Sequence, residues 1–210
     1  MTILGKHELD ARLATEDLEN RLVVTPLLDR AKQVTRGSID LRLGTELLFL
    51  TKTGQSGMDP RSITAEGLEA TYERRVIQYG ESFWLHPNHF VLAATLEFIA
   101  LPRDLAAYVV GRSSWGRLGL IVATAVFVHP GYRGCLTLEL VNDGDSPISL
   151  SPGFRIAQLV VHTLKIAAPE TTEDEKYVAP VRPRPALLSR ERSEFEQLER
   201  TGRALRSRLG

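Results

Sequence analysis

The chain has 210 residues, 43% of them hydrophobic and 25% charged, which suits one globular domain with a substantial core plus some tail and excludes a fibrous or compositionally disordered protein. Lys and Arg total 26, as do Asp and Glu, so net charge argues neither for nor against a polyanionic partner, and a small charged ligand needs only a local cluster. Cys135 is the only cysteine; an intramolecular disulfide is impossible, and a reducing cytoplasm is the expected setting.

The first residues lack the long apolar stretch of a signal peptide. The longest apolar run, Leu118 to Val128, is far short of the roughly 20 residues that span a bilayer and reads as buried strand, so no membrane is expected. Residues 6–19 carry Leu9, Leu13 and Ala14 at helical spacing and predict a short helix. Residues 38–50 set Ile39, Leu41 and Leu43 against Asp40 and Arg42, a period of two that predicts a strand. Residues 51–75 are polar and read as a long excursion. From Val76 to Leu164 short strand patterns alternate with turn residues such as Tyr79-Gly80-Glu81, His129-Pro130-Gly131 and Ser151-Pro152-Gly153. No long amphipathic helix interrupts them, which implies an all-β body, a barrel, sandwich or jelly roll.

Residues 165–186 contain Pro169, Pro180, Pro183 and Pro185 and look irregular. Residues 188–208 read as a helix with a thin apolar stripe of Phe195, Leu198, Leu205 and Leu209, and eight arginines between 182 and 208 face four glutamates. That helix is a solvated, partly docked surface element, or a contact for an oligomer or an anionic ligand. The expected division is a β domain over 1–168, an irregular segment or lid over 169–186 and a helical tail over 187–210.

The chemistry concentrates in residues 111–161. Gly111-Arg112-Ser113-Ser114 offers a cation, two hydroxyls and freely placed backbone N–H groups, and Arg117 adds a second guanidinium; such a turn suits phosphate binding, although many solvated turns read the same way. Glu139 stands inside the apolar run Leu136 to Val141, sharing a strand face with Thr137 while Leu138 and Leu140 take the other. It is either an exposed strand glutamate or a carboxylate held in a pocket. Beside Arg117 in a pocket it would trade protons near neutral pH, since desolvation raises a carboxyl pKa and a cation lowers it.

Gly111-Arg112-Ser113-Ser114-x-x-Arg117-Leu118-Gly119-Leu120, then Pro130-Gly131-Tyr132-x-Gly134, Leu138-Glu139 and residues 147–158 resemble the dCTP deaminases of the dCTP deaminase/dUTPase superfamily. Ser38-x-Asp40-Leu41-Arg42-Leu43-Gly44 and residues 90–93 resemble the family's N-terminal half. The resemblance implies a mainly β fold, a dUTPase-like distorted barrel or jelly roll with a short N-terminal helix and a C-terminal helix, assembled as a homotrimer with shared active sites. It implies a deoxycytidine nucleotide substrate, most simply dCTP converted to dUTP and ammonia, with Mg²⁺ on the triphosphate. Carried over by position, Glu139 is the general acid/base, and Arg117 and Ser113 help place the water and the base. Arg112 and Ser114 approach the triphosphate, Ala125 offers backbone groups near the base, and Gln158 gives a side-chain contact. Thr137, His129 and Lys176 complete the substrate-binding set. A zinc mechanism needs a His or Cys plus a Pro-Cys-x-x-Cys pair, which one cysteine cannot supply. His86 and His89 read as a turn rather than a metal site, and no nucleic-acid polymer is implied.

His129 stands where the superfamily usually has Asp before Pro-Gly-Tyr; it can donate to a sugar hydroxyl or a phosphate but cannot do identical work. Val126 occupies a place where a deaminase often has His, the stretch before His129 is one residue short, and Pro180 replaces an expected Gln after Lys176-Tyr177. A different cytosine nucleotide, a dUTPase-type or bifunctional pyrophosphatase, and a nucleotide-binding regulator without catalysis are the alternatives.

Overall fold

The computed structural model describes residues 2–51, 57–123, 127–168, 179–186 and 188–209. In chain order the elements are β1 (Thr2–Ile3), α1 (Lys6–Ala14), β2 (Val23–Thr25), α2 (Arg30–Gln33), β3 (Ile39–Leu50), α3 (Ala65–Glu69), β4 (Tyr72–Val76), β5 (Phe83–Leu85), β6 (Phe90–Ala100), β7 (Leu105–Gly111), α4 (Ser113–Gly116), β8 (Leu120–Val122), β9 (Phe127–Val128), β10 (Arg133–Asn142), β11 (Ile148–Leu150), β12 (Arg155–Thr163) and α5 (Ser189–Leu209). They fall into two compact units, Met1–Phe49 with Arg74–Arg184, and Leu50–Glu73 with Pro185–Gly210. The expected mainly β fold with a short first helix and a last helix is what the chain adopts. Among the described residues no helix is long and apolar enough to cross a membrane.

The first unit is a sheet ordered β8-β10-β6-β3-β12-β7-β9, with a small β11–β5 ribbon beside it. β8, at one edge, approaches β7, next to the other edge, so the sheet curls on itself. Leu41, Leu43 and Leu47 of β3, Val91 and Ile99 of β6, Leu138 and Leu140 of β10, and Leu159 and Val161 of β12 are fully enclosed in the core. α1 buries Leu9 and Leu13, one helical turn apart. It stops at Ala14, short of the predicted end at 19, because the following side chains capture the backbone: Thr15 Oγ1 accepts from Asp17 N, and Asp17 Oδ1 from Glu19 N.

Three irregularities break the simple alternation. Between β12 and β3 the register passes from Arg155↔Arg42 to Ala157↔Leu41, so Ile156 is an extra residue on β12. Between β3 and β6 it passes from Leu43↔Thr95 to Leu47↔Ala93, a bulge on β3. Gly44 lies in that bulge, where a Cβ would stand 2.8 Å from the Ala94 carbonyl oxygen, so only glycine fits. Between β10 and β6 it passes from Cys135↔Phe98 to Thr137↔Ala94, which turns Glu97 into the interior.

In the second unit, α3 is capped by Thr64, whose Oγ1 accepts from Gly67 N at 3.0 Å. Arg61 pairs with Asp59 and lies 5.8 Å from the Phe195 ring centre of α5. Phe195 and Leu198 are exposed in the single chain; the side chains of Leu205 and Leu209 lie outside the described set.

Candidate active site

β7 delivers the chain into α4 through Arg112, whose N–H donates to the Ile156 carbonyl of β12 at 3.1 Å. The Arg155 carbonyl accepts twice, from Arg112 Nη1 at 3.0 Å and from the Trp115 indole N–H at 2.8 Å, pinning α4 to β12. Ser113, Ser114 and Arg117 remain exposed on this turn. Gly119, at φ +91°, then reverses the chain into β8; a Cβ there would meet Gly144 N at 2.7 Å.

β8 pairs with β10 at Val122↔Leu140, and Ala123 N donates to the Glu139 carbonyl at 2.7 Å. Leu136, Leu138 and Leu140 point into the core, so Thr137 and Glu139 take the other face. Thr137 Oγ1 accepts from Arg184 N at 3.2 Å. The Glu139 side chain is exposed in the single chain, and desolvation alone holds its carboxyl above the usual range. Among the described residues no cation pairs with it, so the expected Arg117 partner does not reach it within one chain.

The other expected residues sort clearly. Gln158, half-buried, donates from Nε2 to Asp40 Oδ1 at 2.9 Å and to Ser38 Oγ at 3.2 Å. His129 is exposed and sets its ring edge-on to Phe127 at 4.8 Å, beside the Tyr108 and His162 rings. Ala125, Val126, Lys176 and Tyr177 lie outside the described residues. His86 and His89 have ring centres 5.7 Å apart, but no third His, Cys, Asp or Glu clusters with them among the described residues.

The sequence reading missed a group that α4 leans on. Asp40 of β3 is 1% exposed although it belongs to that strand's polar set. Its carboxylate takes Arg155 Nη1 at 3.0 Å, Arg112 Nε at 3.4 Å and the Gln158 amide. Arg155 and Gln158 are three apart, which plain alternation would send to opposite faces; the extra residue Ile156 brings both to Asp40. Next to this node is a cavity of about 410 Å³ lined by Arg42, Arg112, Arg155, Ser114, Trp115 and Phe154. Three guanidiniums line it, so it suits an anion. Arg42 is held from behind: its Nη1 donates to the Gly153 carbonyl at 2.7 Å and its Nε to Gln33 Oε1 at 3.3 Å. Gln33 in turn donates to Glu97 Oε1 at 2.9 Å, and Arg42 N to Glu97 Oε2 at 2.8 Å. Burial pushes the Glu97 carboxyl up to about 7 against those two hydrogen bonds.

Residues 3–164 match the family model described as dCTP deaminase-like. The chain is 44% identical over 160 residues to a dCTP deaminase of Halorubrum lacusprofundi, covering 76% of this chain and 78% of that one. It is 43% identical over 155 residues to a protein of Dictyoglomus thermophilum named dCTP deaminase, dUMP-forming, covering 73% and 77%. Its fold is similar to the crystal structure of 2'-deoxycytidine 5'-triphosphate deaminase from Agrobacterium tumefaciens, with a TM-score of 0.57 and 25% identity; the match covers 76% of this chain but only 46% of that longer one.

Proposed function

The chain belongs to the dCTP deaminase-like family, and from that premise we propose that it hydrolyses the 4-amino group of dCTP with Glu139 as proton carrier. Water attacks C4 of the cytosine. Glu139 takes one water proton and passes it to N3 as the hydroxyl adds to C4; it then moves the proton of that hydroxyl to the 4-amino group, the C4–N4 bond breaks, the C4 carbonyl forms and ammonia leaves. Such general acid/base work is worth roughly 10²–10⁴-fold. Ser113 and Arg117 orient the water and hold the developing charge. Thr137, His129 and the backbone at Ala125 flank base and sugar. Arg112, Ser114 and Lys176 serve the triphosphate, and Gln158 gives a side-chain contact.

The observation that carries this reading is the Glu139 carboxyl: it stands on the polar face of β10 within the chain's own motif, pairs with no cation among the described residues, and partial desolvation lifts its pKa. A lifted pKa suits a group that must both take and give a proton. Arg117 and Glu139 form no ion pair within one chain, which supports a homotrimer whose sites take Arg117 from one copy and Glu139 from the next. Mg²⁺ enters on the nucleotide. Among the described residues no three His, Cys, Asp or Glu side chains converge, which suits a cation ligated mainly by phosphate oxygens and water. The Mg²⁺ would offset phosphate charge while Arg112 and Ser114 hold the tail.

The product we propose is dUTP. Relatives named dUMP-forming favour a second reading, in which a second water also cleaves between the α and β phosphates and releases pyrophosphate. His129, at the place of the superfamily's aspartate, weighs against that step. Incubation with dCTP, CTP, dCMP and dUTP, assaying ammonia and pyrophosphate, tests the whole reading. Ammonia from dCTP without pyrophosphate supports it; both products from dCTP support the second reading. Pyrophosphate from dUTP without ammonia from any cytosine nucleotide makes the chain a pyrophosphatase, and tight dCTP binding with no product makes it a regulator.

A further inference from the structure

The Asp40 node is polar, enclosed and built at some structural cost. A buried carboxylate is expensive unless paired and hydrogen-bonded. Asp40 meets that condition with two guanidiniums and an amide drawn from the β7–α4 junction and from β12, and Arg155 and Gln158 reach it together only because β12 carries an extra residue at Ile156. The node's outer surface is the cavity wall. Arg112 spends Nε on Asp40 and Nη1 on the Arg155 carbonyl, which leaves further N–H donors of its fork for a ligand. Arg155 spends Nη1 on Asp40 and on the Lys32 carbonyl and likewise keeps donors. Both side chains are 28% exposed, so their free edges reach solvent. Asp40 stands against the three guanidiniums of Arg42, Arg112 and Arg155, with Asp29 farther from Arg155 and with Glu97, which burial drives toward its neutral form, behind Arg42, so cations outnumber ionised carboxylates at the wall.

We propose that Asp40 is a positioning residue that locks Arg112 and Arg155 as a fixed pair of forks for the polyphosphate tail of the nucleotide, and that Arg155 is a further phosphate-contacting residue. The proposal rests on the reading that Arg112 and Ser114 face that tail. Arginine suits this duty because its planar fork meets phosphate oxygens in pairs, and a fork already held loses less freedom on binding. Asp40 touches no substrate; it acts through the two arginines.

The test is binding of three probes to the full-length protein by calorimetry: inorganic tripolyphosphate, dCTP and deoxycytidine. Asp40→Asn keeps an acceptor for Gln158 but loses the charge that holds the guanidiniums. The expected result is an approximately tenfold rise in Kd for tripolyphosphate and for dCTP, with deoxycytidine unchanged, and in turnover a raised KM for dCTP with kcat nearly kept. Asp40→Glu, which restores the charge, is expected to recover part of the loss. Unchanged tripolyphosphate binding overturns the proposal, and so does an equal loss for deoxycytidine, which would mean general distortion. If Asp40→Asn does not fold, Arg155→Gln on the exposed side decides: the same phosphate-selective loss supports the proposal, and wild-type affinity overturns it. The tripolyphosphate comparison requires no turnover, so a wild-type protein that releases no ammonia from dCTP would defeat the proposed reaction and still leave the Asp40 result readable.

Discussion

The two faces that would enclose the nucleotide are built by opposite means. Around Asp40 the side chains are fixed before a ligand arrives: Arg112, Arg155 and Gln158 converge on one carboxylate, and the Arg155 carbonyl takes two more donors. On β10, Thr137 is held by a single backbone N–H, and the Glu139 carboxyl has no partner among the described residues. A group that must only bind gains from being fixed in advance. A group that must carry a proton loses by it, since a permanent cation would depress its pKa and hold it ionised. The difference in construction therefore matches the difference in proposed duty.

The largest effect is expected from Glu139→Gln, which disables the open face and leaves the interlocked one intact. Ammonia release should fall by about 10²-fold or more while dCTP binding survives, because Gln is nearly isosteric but cannot cycle a proton. Residual turnover above about a tenth of wild type, a factor worth only about 1.4 kcal/mol in the barrier, would move the chemistry elsewhere. Next comes complementation between copies. Glu139→Gln and Arg117→Ala, each inactive alone, are co-expressed in equal amounts; in a ring of head-to-tail contacts about a quarter of the sites would join two intact halves. Recovery of about a quarter of wild-type activity is expected, and no recovery would place both residues in one chain's site.

Stability against pH separates the faces further. The Glu97 carboxyl, behind Arg42, is raised to about 7 from an ordinary 4.5. The native chain then holds a proton that the unfolded chain releases, so this contribution is fully present below about 4.5 and lost as pH rises through about 7. The span corresponds to about 3 kcal/mol as an order of magnitude. Denaturant unfolding at fixed protein concentration should show wild type losing stability across that window and Glu97→Gln losing much less; parallel curves would sink the assignment. The smallest effect is expected from Trp115→Phe. It keeps a ring against Phe154, now 5.6 Å away, but deletes one of the two donors to the Arg155 carbonyl. A loss of about 1 kcal/mol is expected, with a slight rise in KM for dCTP. A larger loss would mean that α4 hangs on the indole rather than on Arg112.

Much of the fold was legible because strands write their burial as alternation. The predicted strand over 38–50 is β3, and Leu138 and Leu140 turn inward against Thr137 and Glu139 as read. The first helix was read too long because its apolar spacing does not show where Thr15 and Asp17 take over the backbone. The chemical face was visible as an acid inside an apolar strand, and the turn at 111–117 as a cation with hydroxyls. The Asp40 node was not visible. Arg155 and Gln158 differ by an odd number of positions, so alternation separates them, and nothing in the letters announces that Ile156 is extra. Asp40 itself reads as a solvated polar position; it is enclosed where Arg112, Arg155 and Gln158 meet its carboxylate. The sequence sets Arg117 and Glu139 in one motif-rich stretch, but a linear sequence does not say whether two such residues meet within one chain, and in the single chain they do not pair.

The bulge on β12 makes chain length a harder constraint there than residue identity. Exchange of Ile156 for another apolar side chain would disturb packing by a cavity or a clash. Insertion of one further residue between Arg155 and Gln158 would set them four apart, so that a single bulge no longer compensates and one of the two turns to the apolar side, dismantling the node in a single step. At the exposed turn around Gly80, where an added Cβ meets nothing within 4 Å, one residue more or fewer would change only a loop. Insertions should therefore be tolerated at that turn and lethal to nucleotide binding at 156, a contrast that an insertion scan would read directly and a substitution scan would overlook.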